Sequence, residues 1–174
     1  MKHDSNYMAD AAKAAAALAE ELLRTKSRLA VAESCTGGGV GYVLTAIPGS
    51  SRWFERGFIT YSNASKREVL GVDGEVLDRH GAVSEPVVAA MAEGAIAQSR
   101  ADYGIAISGI AGPDGGSVDK PVGTVCFAFS RGPDRTITER CHFTGDRRAV
   151  REQSIAHAIK GMVDFLRGDS NTVS

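Results

Sequence analysis

The sequence predicts a three-layer α/β/α fold built on a mixed sheet, and three observations lead there. Short strand-like runs alternate with helical segments through the first two thirds of the chain, the pattern of parallel strands joined by crossover helices. Two late runs, Gly123–Phe129 and Thr136–Phe143, flank a Gly-Pro-Asp turn and read as an antiparallel hairpin. Polar, glycine-rich turns follow two of the early strands, at the edge where open α/β sheets hold ligands.

The elements follow in order. Met1–Tyr7 reads as a ragged terminus. Met8–Arg24 is alanine-rich and carries Leu18, Leu22 and Leu23 on one face, which predicts a helix. Arg28–Ala32 is a short buried strand, and Gly41–Ile47 a helix stopped by Pro48–Gly49. Gly57–Tyr61 mixes β-branched and aromatic residues and reads as a strand. Lys66–Leu70 is a short helix closed by Gly71, and Val76–His80 a further helical turn. Ser84 is a suitable N-cap, with Glu85 and Pro86 just inside a helix that runs over Val87–Ser99. Asp102–Ile107 is a strand, and Asp146–Leu166 a long closing helix with the last six residues frayed. Neither linker nor repeat is evident, so one domain over 1–174, with its core at about 8–168, is expected.

Bulk properties narrow the function. The 174 residues are 43% hydrophobic and 24% charged, as in ordinary globular proteins. A formal net charge of −1 gives no general drive toward nucleic acid or an anionic membrane. The apolar run Ala14–Leu18 is broken by Glu20 and Glu21, so neither a signal peptide nor a membrane span is expected. Cys35, Cys126 and Cys141 are an odd number with no CxxC and no metal-ligand spacing, which points to a reducing, cytoplasmic setting.

Three stretches carry candidate chemistry. Ala32–Gly39 (AESCTGGG) sits at a strand-to-helix turn. Ser34 is a nucleophile there if a base takes its proton. The N–H groups of Thr36, Gly37 and Gly38, at a helix N-terminus, are expected to form an oxyanion hole. The plain alternative is an N-cap and tight turn. Cys35 competes as nucleophile, because a helix N-terminus lowers a thiol's pKa. It lacks a histidine in a polar turn, which favours a small buried cysteine.

Thr60–Val72 (TYSNASKREVLGV) places Tyr61, Ser62, Asn63 and Lys66 just after a strand. Ser62 or Asn63 caps the helix. Lys66 projects from its first turn and becomes a general base if desolvated, or is otherwise an ordinary solvated lysine. Ser108–Ser117 (SGIAGPDGGS) is a glycine-rich loop of the kind whose N–H groups bind anions, without the P-loop pattern. Arg147, Arg148 and Arg151 open the last helix, where one is placed to fork onto a phosphate or all form a solvated face.

AESCTGG, YSNASK with LGV, GAVSEPV, SGIAGPDGGS with KPVGTV, and FTGDR occur here in the order and spacing of the CinA C-terminal domain family, which the chain resembles from about Ala14 to Leu166. The single-domain members of that family hydrolyse the carboxamide of nicotinamide mononucleotide (NMN). The larger members add an N-terminal domain, for which this chain leaves no room. The resemblance implies a Ser–Lys amidohydrolase without metal or cofactor, with Ser34 as nucleophile, Lys66 as base and Tyr61 orienting the lysine or the pyridine ring. Glu33, Thr36, Gly37, Gly38 and Asn63 would line the substrate pocket. Ser108, Gly109 and Gly112 would hold the ribose-phosphate, and Arg147 would clamp its anionic group. The expected partner is this small molecule, with neither nucleic acid nor membrane, and self-association is expected of so small a domain. The alternative is a non-catalytic nucleotide-binding module of the competence-related kind. Where the family has GPGGGT this chain reads GPDGGS, which puts the charge of Asp114 beside a phosphate or out in solvent.

Overall fold

The structure, a computed structural model, describes residues 6–170. Its elements are α1 (Tyr7–Thr25), β1 (Leu29–Glu33), α2 (Gly39–Thr45), β2 (Phe54–Ile59), α3 (Asn63–Leu70), α4 (Gly74–His80), α5 (Glu85–Ala97), β3 (Tyr103–Gly109), β4 (Thr124–Ser130), β5 (Thr136–His142) and α6 (Arg147–Ser170). The sheet has the order β2-β1-β3-β4-β5. β1 runs parallel to both β2 and β3, while β3, β4 and β5 are antiparallel neighbours. This is the expected α/β architecture: a parallel core plus an antiparallel hairpin.

The strand sequences sort the two faces by size. Side chains alternate across a strand. Leu29, Val31, Ile105, Ile107, Val125, Phe127 and Phe129 therefore enter one cluster with α1, α2 and α6. Ala30, Ala32, Ala106, Cys126 and Ala128 enter the other, with α5. The small-residue face lets α5 lie very close. A Cβ on Gly104 of β3 would stand 2.5 Å from the Ala92 carbonyl oxygen of α5, and on its other side α5 is as close to α3, where a Cβ on Gly94 would stand 2.1 Å from the Leu70 carbonyl oxygen.

Several boundaries differ from expectation for identifiable reasons. β2 begins at Phe54, not Gly57, because it is an exposed edge strand whose Glu55–Arg56 pair masks the pattern. α3 starts at Asn63 because Ser62 and Ser65 form a reciprocal capping box. Ser84 precedes α5 but does not cap it; its hydroxyl donates to the Gly81 carbonyl at 2.7 Å. At the N-terminus Asn6 caps α1 and Tyr7 opens it, and α6 continues to Ser170. The rest of the predicted ragged and frayed ends, residues 1–5 and 171–174, lies outside the described residues. No described helix is long and apolar enough to cross a membrane.

Candidate active site

β1 and β3 are parallel neighbours, so the turns that follow them emerge side by side. The main chain of Ser34 continues the pairing, its N–H donating to the Ile107 carbonyl at 3.0 Å. Thr60 does the same from β2, donating to the Glu33 carbonyl at 2.8 Å. Three consecutive segments of the sheet edge are thereby held in register around Ser34.

Lys66 enters this edge from the first turn of α3. Its Nζ lies 3.2 Å from the Ser34 Oγ and 2.7 Å from the Thr60 carbonyl oxygen. Both side chains are buried, Lys66 at 1% exposure and Ser34 at 8%. Burial pulls the Lys66 pKa below the ordinary lysine value, with the nearby Cys35 opposing the shift. A neutral amine here gives one N–H to the Thr60 carbonyl and turns its lone pair toward the serine hydroxyl, which is the geometry general-base catalysis requires.

The pair opens onto a cavity of about 200 Å³, also lined by Cys35, Tyr61, Ala82, Val83, Ser108, Gly109, Ala111 and Arg147. A larger groove, about 580 Å³, runs between α1 and α6 and contains neither Ser34 nor Lys66. Chemistry, not size, therefore selects the site. Arg147 bridges the mouth of the smaller cavity: its Nη1 donates to the Gly112 carbonyl at 2.8 Å and its Nη2 to the Tyr61 hydroxyl at 3.0 Å. Arg148 instead points along the helix to Glu152.

Other candidate residues have different surroundings. Glu33 is 1% exposed and does not line the cavity. Its Oε2 accepts from the Thr36 hydroxyl at 2.6 Å, the Gly38 N–H at 3.0 Å and the Val40 N–H at 3.1 Å, while Oε1 accepts from the Gly41 N–H at 2.9 Å. The carboxylate thus replaces the missing side-chain cap of α2, whose N-cap residue is Gly38. This overturns the expected open helix N-terminus: the Gly38 N–H is bound by Glu33, and that of Gly37 by the Ser34 carbonyl at 3.0 Å. Thr36 is fully buried as the partner of Glu33. Asn63 is exposed on α3, outside the cavity lining. Gly112 contributes its carbonyl to Arg147 rather than lining the cavity. Asp114 is exposed.

The Cys35 thiol is buried, the reading its lack of a histidine partner favoured. Burial, followed by the charge of Glu33, raises its pKa to about 12, outweighing its own main-chain N–H and the cations Arg151 and Lys66. Arg151 belongs to the site's supporting shell. Its Nε and Nη2 donate to the carbonyls of Cys35 and Thr36 at 3.0 and 3.1 Å, tying the turn that carries Ser34 to α6. The only sequence signal for that role was its place in the arginine-rich start of the helix.

The profile of the CinA C-terminal domain matches residues 11–166. The chain belongs to the CinA C-terminal domain family. Among its relatives is the nicotinamide-nucleotide amidohydrolase PncC of Escherichia coli K12, 61% identical over 129 residues, which cover 74% of this chain and 78% of that protein. The PncC protein of Pseudomonas putida is 50% identical over 148 residues, covering 85% and 92% of the two chains. The competence/damage-inducible protein CihA of Agrobacterium tumefaciens, known from its crystal structure, superposes with a TM-score of 0.87 at 37% identity, over 91% of this chain and 96% of that one.

Proposed function

We propose that this chain hydrolyses the carboxamide of NMN to nicotinate mononucleotide and ammonia through a Ser34–Lys66 pair. The observation that carries the reading is the approach of a buried Lys66 Nζ to the Ser34 Oγ at 3.2 Å. The naming of the PncC relatives as nicotinamide-nucleotide amidohydrolases supports the substrate.

Ser34 Oγ attacks the carboxamide carbon as its proton passes to Lys66 Nζ. The tetrahedral adduct collapses, the C–N bond breaks, and Lys66 returns the proton to the departing nitrogen, releasing ammonia. Water then attacks the acyl ester, gives a proton to Lys66, and Ser34 leaves reprotonated. With Gly37 and Gly38 engaged elsewhere, the N–H groups of Cys35 and Thr36 are the turn's candidates for the oxyanion; Arg151 on the Cys35 carbonyl fixes the peptide plane of the Thr36 N–H, and the Gly37 N–H on the Ser34 carbonyl fixes that of the Cys35 N–H. A cavity of about 200 Å³ is below the common range for enclosed ligands. The carboxamide and ring therefore occupy it, and the ribose-phosphate reaches the rim formed by Tyr61 and Arg147.

The test is ammonia and nicotinate mononucleotide formation from NMN by purified protein without added metal, beside Ser34→Ala and Lys66→Ala. Wild-type turnover with both variants reduced by roughly 10²-fold or more is expected. NMN binding without product in the wild type would point instead to a binding module.

A further inference from the structure

We propose that Glu139, Cys141 and His157 form a binding site for a divalent transition cation of the zinc type, separate from the Ser34–Lys66 site. Glu139 and Cys141 are two residues apart on β5, so their side chains share one face of the strand. That face meets His157 on α6. One potential ligand atom from each residue lies within 4.8 Å of the other two. The His157 Nε2 stands 3.6 Å from Cys141 Sγ and 2.7 Å from Glu139 Oε2.

The arrangement is convergent. In a catalytic triad, thiol and carboxylate engage opposite nitrogens of the imidazole; here both approach Nε2. Ligand bonds of about 2.3 Å to sulfur and 2.0 Å to nitrogen, at a tetrahedral angle, place the two ligand atoms about 3.5 Å apart. The observed 3.6 Å between Sγ and Nε2 already fits that edge. The Glu139 oxygen needs to open to about 3.3 Å from Nε2, and its side chain, 43% exposed, has room to do so.

The imidazole is already oriented, its ring 4.6 Å from Phe127 and 5.9 Å from Phe143 between centroids. Thiolate plus imidazole selects a borderline-soft cation over magnesium or calcium, and one thiolate with one carboxylate neutralises a +2 charge. On binding, Cys141 loses its proton to solvent and the imidazole keeps its own on Nδ1. His157 borders two surface grooves, of about 580 and 340 Å³, which give the cation a path in and leave the fourth position to water. The bound ion would tie the outermost strand of the hairpin to α6.

The experiment titrates chelator-stripped full-length protein with Co²⁺, a spectroscopic stand-in for Zn²⁺. One equivalent should bind, give a thiolate-to-cobalt charge-transfer absorption, and be displaced by Zn²⁺. Cys141→Ser should lose that absorption while Cys126→Ser keeps it. Glu139→Gln, on the exposed side of the cluster, should weaken binding by at least the roughly tenfold that loss of even an outer-shell partner costs. Wild type without the absorption, or an absorption that persists in Cys141→Ser, would overturn the proposal. So would a Glu139→Gln affinity equal to wild type.

Discussion

Replacing Glu33 by Gln separates a capping role from a substrate-binding one. The amide oxygen can take the place of Oε2 and keep its three donors, Thr36 Oγ1, Gly38 N and Val40 N. The amide NH₂ then falls where Oε1 accepted from the Gly41 N–H, and donor faces donor. An orphaned N–H costs about 1–3 kcal/mol, and the low end applies because Gly41 is only part-buried. The three retained bonds lose the charge that made them roughly twice as strong, at about 0.5–1 kcal/mol each. The sum is about 3 kcal/mol of lost stability. Urea unfolding of wild type and variant should therefore show a large fall in midpoint at unchanged slope. Turnover should fall as well, because the same carboxylate fixes the turn that carries Ser34. A stability change below about 1 kcal/mol together with a raised KM for NMN would refute the capping assignment and return Glu33 to the pocket.

Other outcomes follow from the same geometry. As the proposed base, Lys66 would act only when neutral, so kcat/KM should rise with pH through its depressed pKa and level off below the ordinary lysine value of 10.5; a limb centred at or above that value would contradict the desolvated base. Lys66→Arg, which cannot deprotonate, should lose roughly 10²-fold or more in kcat/KM, and near-normal neutral-pH turnover would remove Lys66 from the mechanism. Arg147→Ala should raise KM for NMN more than it lowers kcat, because it frees Tyr61 and the Gly112 loop at the cavity mouth without touching the reacting pair; steady-state kinetics with an unchanged KM would exclude the clamp. Cys35, buried and with its pKa raised to about 12, should resist iodoacetamide near neutral pH in the folded protein, with activity retained; inactivation that tracks its alkylation would restore the thiol route.

The sheet was readable from short strand-like runs alternating with helices, and the antiparallel hairpin from its turn; the sorting of large and small residues onto two packed faces shows only in the structure. The edge strand β2 was read late because its exposed face carries charge instead of alternation. At the site, Ser34, Tyr61 and Lys66 could be named because they sit in short motifs after strands, and Ser108 and Arg147 through the family resemblance; the structure brings all five around one cavity. The burial of Lys66 has no local signal: it depends on α3 packing against α5 and on the Thr60 carbonyl of a neighbouring segment. The role of Glu33 was hidden for a related reason. A carboxylate beside a nucleophile suggests a pocket, yet alternation along β1 turns it toward α2. Arg151 reaches its two carbonyls across 116 and 115 positions of sequence, a contact no spacing rule exposes.

The central claim is that acyl transfer passes through Ser34 with Lys66 as its base. Its most direct test is to quench the protein during turnover of NMN and map the covalent adduct by peptide mass spectrometry. The account predicts a nicotinate-mononucleotide acyl ester on the Ser34 peptide, absent from Ser34→Ala. Turnover without any adduct in the wild type, or an adduct carried by Cys35, would contradict it.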